Sequence, residues 1–174
     1  MNEYSMKKSE QGVTSDRYAI IPRTLIFVTR GNSVLLLKGA PAKRLWANLY
    51  NGIGGHIERG EDALTAAYRE LKEETGLNRV DLRLVGTVLI DVSAERGIGL
   101  FVFRGEFAGE ELIESHEGQL EWIPADLLED YPLVEDLKTL LPRILRLQPG
   151  DPPFSALYDY DEQEKMRIHF AGTS

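Results

Sequence analysis

The stretch Asp62-Ala-Leu-Thr-Ala-Ala-Tyr-Arg-Glu-Leu-Lys-Glu-Glu-Thr75 constrains this chain more than any other. Ala63, Ala66, Ala67 and Leu71 recur at helical spacing, and Gly76 follows as a stop. The spacing predicts a helix over 62–75. On that helix Glu70, Glu73 and Glu74 stand at i, i+3 and i+4, so they share a face. Like charges so placed repel by a few tenths of a kcal/mol per pair in water. The arrangement becomes favourable when a divalent cation sits on it. A donor set made only of carboxylates suits a hard ion such as Mg²⁺. The chain has no cysteine, and the cluster has no histidine, which argues against zinc.

The formal charge of −8 is concentrated in two places. Residues 55–77 hold six acids and three bases, and residues 109–121 hold five glutamates and no base. Everywhere else 17 acids face 17 bases. The chain therefore carries two acidic centres on a neutral background and has no basic patch. That disfavours nucleic acid as a partner.

The 174 residues fit one domain, and 43% hydrophobic residues suffice for a core. Residues 1–16 lack apolar periodicity and read as a tail, leaving 17–174 as the domain. Residues 24–29 and 33–38 read as strands around a turn at Arg30-Gly31-Asn32. Residues 52–57, Gly-Ile-Gly-Gly-His-Ile, are glycine-rich and partly extended. Strands are expected over 80–92, 99–107 and 120–123, with a turn at Arg96-Gly97. A short helix is expected from Pro124 to Glu129 and a second over 134–147, interrupted by Pro142. A last hairpin is expected within about 150–170, around 159–164. This order suggests an α+β fold with a mixed sheet sandwiched between helices. No run reaches the roughly 18 apolar residues of a membrane span, and residues 1–17 do not resemble a signal peptide. The expectation is a cytoplasmic protein.

From Gly55 to Leu77 the chain reads Gly, five residues, Glu61, seven residues, then Arg-Glu-Leu-Lys-Glu-Glu-Thr-Gly-Leu. This resembles the Nudix box, G-x5-E-x7-R-E-U-x-E-E-x-G-U, at every defined position, U being a bulky aliphatic residue. The likeness, with its strand order, covers roughly 17–146. It implies the Nudix fold and a hydrolase of nucleoside diphosphates linked to another moiety. It implies that the Gly54 carbonyl, Glu70, Glu73 and Glu74 hold Mg²⁺, with Mn²⁺ as an alternative. Glu61 and Arg69 would support them, and Gly55 would let the strand turn sharply towards the helix. His56, Glu58 and Asp62 stand at variable positions and read as surface.

The run His116-Glu117-Gly118-Gln119-Leu120-Glu121-Trp122 resembles a loop of MutT-like members in which the first glutamate approaches the metal. Glu117 is thereby the candidate extra ligand or general base, with Glu114 as runner-up. Arg23, Lys38, Lys43 and Arg44 are candidate phosphate-holding bases.

Residues 46–57 resemble the segment before the box in oxidised purine nucleoside triphosphate diphosphatases. That likeness implies base contacts from Asn51 and Thr24. Where that branch carries Trp-Pro-Asp-Asp, this chain carries Tyr131-Pro132-Leu133-Val134-Glu135-Asp136. Tyr131 keeps a ring for stacking, but Leu133 and Val134 cannot hydrogen-bond a purine. The expected substrate is a purine nucleoside triphosphate, oxidised or not, cleaved to the monophosphate and pyrophosphate. A nucleotide sugar or dinucleotide such as ADP-ribose is the alternative. A non-catalytic nucleotide-binding module is the alternative from another class. Partners beyond the nucleotide are not expected, a homodimer excepted, since many Nudix proteins are dimers.

Overall fold

The computed structural model describes residues 7, 9, 11–42, 45–109 and 118–172. Strands β1 (Ala19–Arg30) and β2 (Ser33–Gly39) are joined by the expected turn, where Gly31 takes φ 56°. They are followed by β3 (Tyr50–Asn51), α1 (Ala63–Thr75), β4 (Arg83–Asp91) and β5 (Arg96–Glu106). Then come β6 (Gly118–Pro124), a 3₁₀ turn (Ala125–Asp130), α2 (Leu137–Arg146), β7 (Phe154–Tyr160) and β8 (Met166–Phe170). Among these residues the strands form one mixed sheet ordered β3-β2-β1-β5-β4-β7-β8, with β6 also paired to β2.

The two faces of this sheet carry separate cores. Alternation along β1 sends Ile26 and Val28 to one side and Leu25 and Phe27 to the other. Ala67 and Leu71 of α1 cover the first pair. Leu137, Leu140, Leu141 and Ile144 of α2 cover the second. A strand buried on both faces reads as continuously apolar, as 25–28 does. The result is the expected sheet between helices.

Both ends of α1 are capped by side chain and backbone. Asp62 Oδ1 accepts from the N–H groups of Leu64 (2.9 Å) and Thr65 (3.0 Å). Gly76 is left-handed at φ 70°, and its N–H bonds to the Lys72 carbonyl. Asp62 is therefore an N-cap rather than a merely solvated acid. At the other helix, Arg104 Nη1 donates to the carbonyls of Ile144, Leu145 and Leu147, and Arg83 donates to those of Leu147 and Gln148. Two strand arginines thus satisfy the C-terminal end of α2. Burial, then the neighbouring Arg83, lowers the pKa of Arg104.

Several boundaries differ from expectation. The first strand begins at Ala19 because it runs parallel to β5 from Ala19 to Thr29, a long-range pairing that local sequence does not reveal. Arg96 and Gly97 start β5 instead of forming a turn, and the reversal is closed by the Ser93 N–H to the Arg96 carbonyl. The second long helix starts at Leu137, because 132–134 is drawn into backbone bonds with Tyr50. The C-terminal hairpin forms, but β7 joins the main sheet beside β4, and Phe154, Ala156 and Tyr158 are buried. Among the described residues no helix is long and apolar enough to cross a membrane.

Candidate functional site

The glycine-rich run 52–57 lies antiparallel against β1. Ile53 and Ile26 exchange backbone bonds, and Thr24 N–H donates to the Gly55 carbonyl at 2.9 Å. Gly54 sits at φ 142°, and a Cβ there would lie 2.3 Å from the Thr24 carbonyl oxygen. A Cβ on Gly55 would lie 2.6 Å from Glu70 Oε1. The two glycines thus do separate work. The first lets the chain press against β1, and the second leaves room for a carboxylate of α1.

Arg69 organises that helix face. Its Nε and Nη2 grip both oxygens of Glu61, at 2.7 and 2.9 Å. Its Nη1 donates to Glu70 Oε1 at 2.7 Å and to Glu73 Oε2 at 3.2 Å. Nη2 also reaches the His56 carbonyl at 3.0 Å, which ties the helix to the glycine run. Bidentate geometry of this kind is specific to arginine. Arg69, followed by the backbone N–H of Glu58, holds the Glu61 carboxyl below its ordinary range. The same carboxylates, Glu61 first, raise the pKa of Arg69. One guanidinium against Glu61, Glu70 and Glu73 cannot balance three carboxylates.

Glu70 and Glu61 are mostly covered, Glu73 is 59% exposed, and Glu74 is buried. The donors are all hard oxygens, and a guanidinium already bridges Glu70 and Glu73. By chemistry the set fits a divalent cation such as Mg²⁺. By position it is incomplete, because no three acidic or imidazole groups converge as metal ligands among the described residues. Glu117 and Glu114, expected as further carboxylates, lie outside the described residues, as do Lys43 and Arg44.

An open cleft is lined by Gly54 and Glu74, by Gly52 and Asn51, and by Leu37, Leu45, Trp46 and Leu49. Asn51 Oδ1 accepts from the Gly52 N–H at 2.8 Å, and the residue lines the cleft. The segment that brings Trp46 to the cleft is held in an unusual conformation. Trp46 (φ 58°) and Asn48 (φ 61°) are both left-handed. Such backbone costs of order 1–3 kcal/mol per residue.

The other sequence candidates are dispersed. Thr24, expected in the base pocket, is 3% exposed, and its hydroxyl accepts from Gly55 N–H at 3.4 Å beneath the glycine run. It supports the loop from beneath. Arg23 Nε donates to His56 Nε2 at 3.2 Å on the exposed flank of the same run. Lys38 places its ammonium 5.4 Å from the Tyr50 ring centroid. Tyr131 donates to Glu121 Oε1 at 3.2 Å and meets Tyr50 edge-on, with ring centroids 5.4 Å apart. Tyr50 donates to the other Glu121 oxygen at 2.5 Å. The Tyr50–Glu121–Tyr131 cluster was not legible in sequence, since its three members come from β3, β6 and the segment before α2. Burial, then the bond to Glu121, pushes the Tyr50 phenol up to about 12.

The NUDIX domain family matches residues 20–144, and the chain belongs to that family. Two relatives indicate its range. The oxidized purine nucleoside triphosphate hydrolase of Danio rerio is 33% identical over 104 residues, 59% of this chain and 65% of that protein. The RNA pyrophosphohydrolase of Pelagibacter ubique is 30% identical over 87 residues, 50% of this chain and 53% of that protein. The chain thus spans between about half and two thirds of the length of these two relatives. The mutator MutT protein of Bacillus halodurans superposes with a TM-score of 0.73 at 22% identity, over 89% of this chain and 100% of that one. This last likeness is one of fold.

Proposed function

We propose that this chain hydrolyses a pyrophosphate bond of a nucleoside polyphosphate, with Mg²⁺, taking a purine nucleoside triphosphate and water to the monophosphate and pyrophosphate. The observation that carries the reading is the α1 carboxylate face, organised by Arg69 and joined through Gly54 and Glu74 to a cleft containing Asn51. The Gly54 carbonyl, Glu70, Glu73 and Glu74 would hold the cation, with Glu117 as a further ligand or the general base. When bound, Mg²⁺ supplies charge neutralisation for the phosphates and acidifies coordinated water.

The chain's own groups do the rest. Arg69 keeps Glu61 and Glu70 in place at the glycine run. A carboxylate of the set that is not engaged with the cation, Glu117 being the candidate, would take a proton from attacking water. Asn51 donates from Nδ2 to an acceptor on the base edge. Arg23, half-buried beside the exposed His56, supplies positive charge for phosphate. The purine choice is supported by the likeness of 46–57 to the purine-specific branch and by the 33%-identical relative's name.

The test is a Mg²⁺-dependent hydrolysis screen with product identification. Its substrates are ordinary and oxidised nucleoside triphosphates, ADP-ribose, dinucleoside polyphosphates and RNA bearing a 5′-triphosphate. Glu73→Gln and Glu74→Gln should each lower turnover by orders of magnitude while the protein stays folded. Unchanged turnover in both would refute the assignment and return the chain to the non-catalytic reading.

A further inference from the structure

The chain has two tryptophans, and the structure treats them differently. Trp122 is committed. It stacks on Phe107 with planes 5° apart and centroids 6.4 Å apart, and the Arg30 guanidinium lies 4.4 Å from its ring centroid. Trp46 makes no ring–ring or cation–ring contact among the described residues. It is 46% exposed, and it lines the cleft that contains Asn51, Gly54 and Glu74.

Nothing about burial explains a large aromatic there, and the backbone beneath it is held at a cost. Trp46 and Asn48 are left-handed without being glycine. Three backbone bonds hold them so: Gly39 N–H to Leu49 O (3.0 Å), Asn48 N–H to Gly39 O (2.9 Å) and Leu49 N–H to Trp46 O (3.1 Å). Gly39 is part of the device, since a Cβ on it would lie 2.4 Å from the Trp46 carbonyl oxygen. Strain maintained by the surrounding structure at a cleft is a mark of function. The bonds fix the main chain of Trp46 and leave its ring to meet a ligand.

We infer that Trp46 is a stacking platform for the planar base of the nucleotide and determines the enzyme's discrimination between base-bearing and base-free polyphosphates. The inference rests on the proposed hydrolysis of nucleoside polyphosphates. Stacking is tolerant of base identity because every base has a π face, so Trp46 sets affinity while Asn51 reads the edge.

The test uses intrinsic fluorescence and steady-state kinetics on the full chain. A purine nucleoside triphosphate with an α,β-methylene bridge is titrated with Mg²⁺ into wild type and Trp46→Phe, with inorganic tripolyphosphate as the base-free control. The nucleotide should quench wild-type emission, the control should not, and the quenching should vanish in Trp46→Phe although calorimetry still detects binding. Trp46→Ala should raise KM for the nucleotide about ten-fold or more with kcat within about two-fold, and Trp46→Phe should restore KM. Calorimetric binding without quenching in wild type, or an unchanged KM in Trp46→Ala, overturns the assignment of Trp46 alone. A wild-type protein that neither binds nor hydrolyses any nucleoside polyphosphate overturns the functional reading, and the inference with it.

Discussion

Adding one methyl group at Gly55 should change the sign of its effect with the residue at position 70. An alanine Cβ would lie 2.6, 2.7 and 2.8 Å from Glu70 Oε1, Cδ and Oε2. Carbon and oxygen at rest need roughly 3.5 Å, so the carboxylate must retreat by most of an ångström. A free glutamate would do this at little cost. Glu70 is not free, because its Oε1 takes the 2.7 Å bond from Arg69 and it is only 13% exposed. Retreat sacrifices a charge-assisted bond worth about 1.5–3 kcal/mol when well covered. Gly55→Ala should therefore destabilise by about 1–3 kcal/mol. In a Glu70→Ala background the obstacle is gone. Gly55 does not need a left-handed φ, so alanine there should be neutral or stabilise by about 0.4–1 kcal/mol through the unfolded chain. The four proteins of the cycle are compared by urea unfolding at pH 7.5 with EDTA present, which removes metal from the comparison. A coupling energy near zero, with Gly55→Ala equally costly in both backgrounds, would show that Glu70 does not occupy the space that Gly55 leaves.

Two other outcomes concern charge and pH. Burial, and secondarily Glu135, pushes the Asp136 carboxyl up to about 6, against the backbone N–H bonds that favour its charge. A raised carboxyl pKa means that stability falls as pH rises from the unfolded value near 3.8 to about 6, then levels. Asp136→Asn should remove that slope and stabilise the protein by about 1–3 kcal/mol at pH 7.5, read by denaturant unfolding against pH; a wild-type curve flat across pH 4–6 would sink this. Glu61 behaves in the opposite sense, since Arg69 lowers its pKa. Its contribution is present above its unfolded pKa of about 4.5 and is lost as pH falls through the lower folded value. Arg69→Leu should be most damaging at neutral pH and approach wild type on acidification, and an Arg69→Leu penalty independent of pH would contradict the pairing.

What was legible in the sequence was local. The helix over 62–75 declares itself through its alanine and leucine spacing and its Gly76 stop. The box fixes Glu61, Arg69 and the three glutamates relative to one another because they sit on one helix and its leading loop. What was not legible depends on pairing between distant strands. The parallel register of Ala19–Thr29 with β5 lengthened β1, and the Tyr50 bonds to 132–134 delayed α2. Thr24 was expected to face a base, but its register against Gly55 buries it under the loop. Lys38 was read as a phosphate contact because it lies on the strand before the box, and Tyr131 as a stacking ring because its segment resembles the base-stacking string of the purine branch. In space they meet Tyr50 and Glu121 first. Trp46 went unassigned because its left-handed backbone depends on Gly39, seven positions earlier in another element.

The parallel seating of β7 beside β4 also bears on how the chain is made. During synthesis from the N-terminus, β4 and β5 can pair while β7 is still to come. Until Phe154–Tyr160 arrives, β4 is a sheet edge, and Val88, destined for the core with Tyr158, lies uncovered. An open apolar edge is the species that strand-adding partners and aggregates recognise. The β4–β7 pairing spans more than sixty residues of chain, from Gly86 to Phe154, so it closes a large loop and should be a slow step. Translation stalled before residue 154 would thus release a product in which the α1 site can form while the opposite core lacks Phe154, Ala156 and Tyr158. Such a fragment should need chaperones that the finished protein does not.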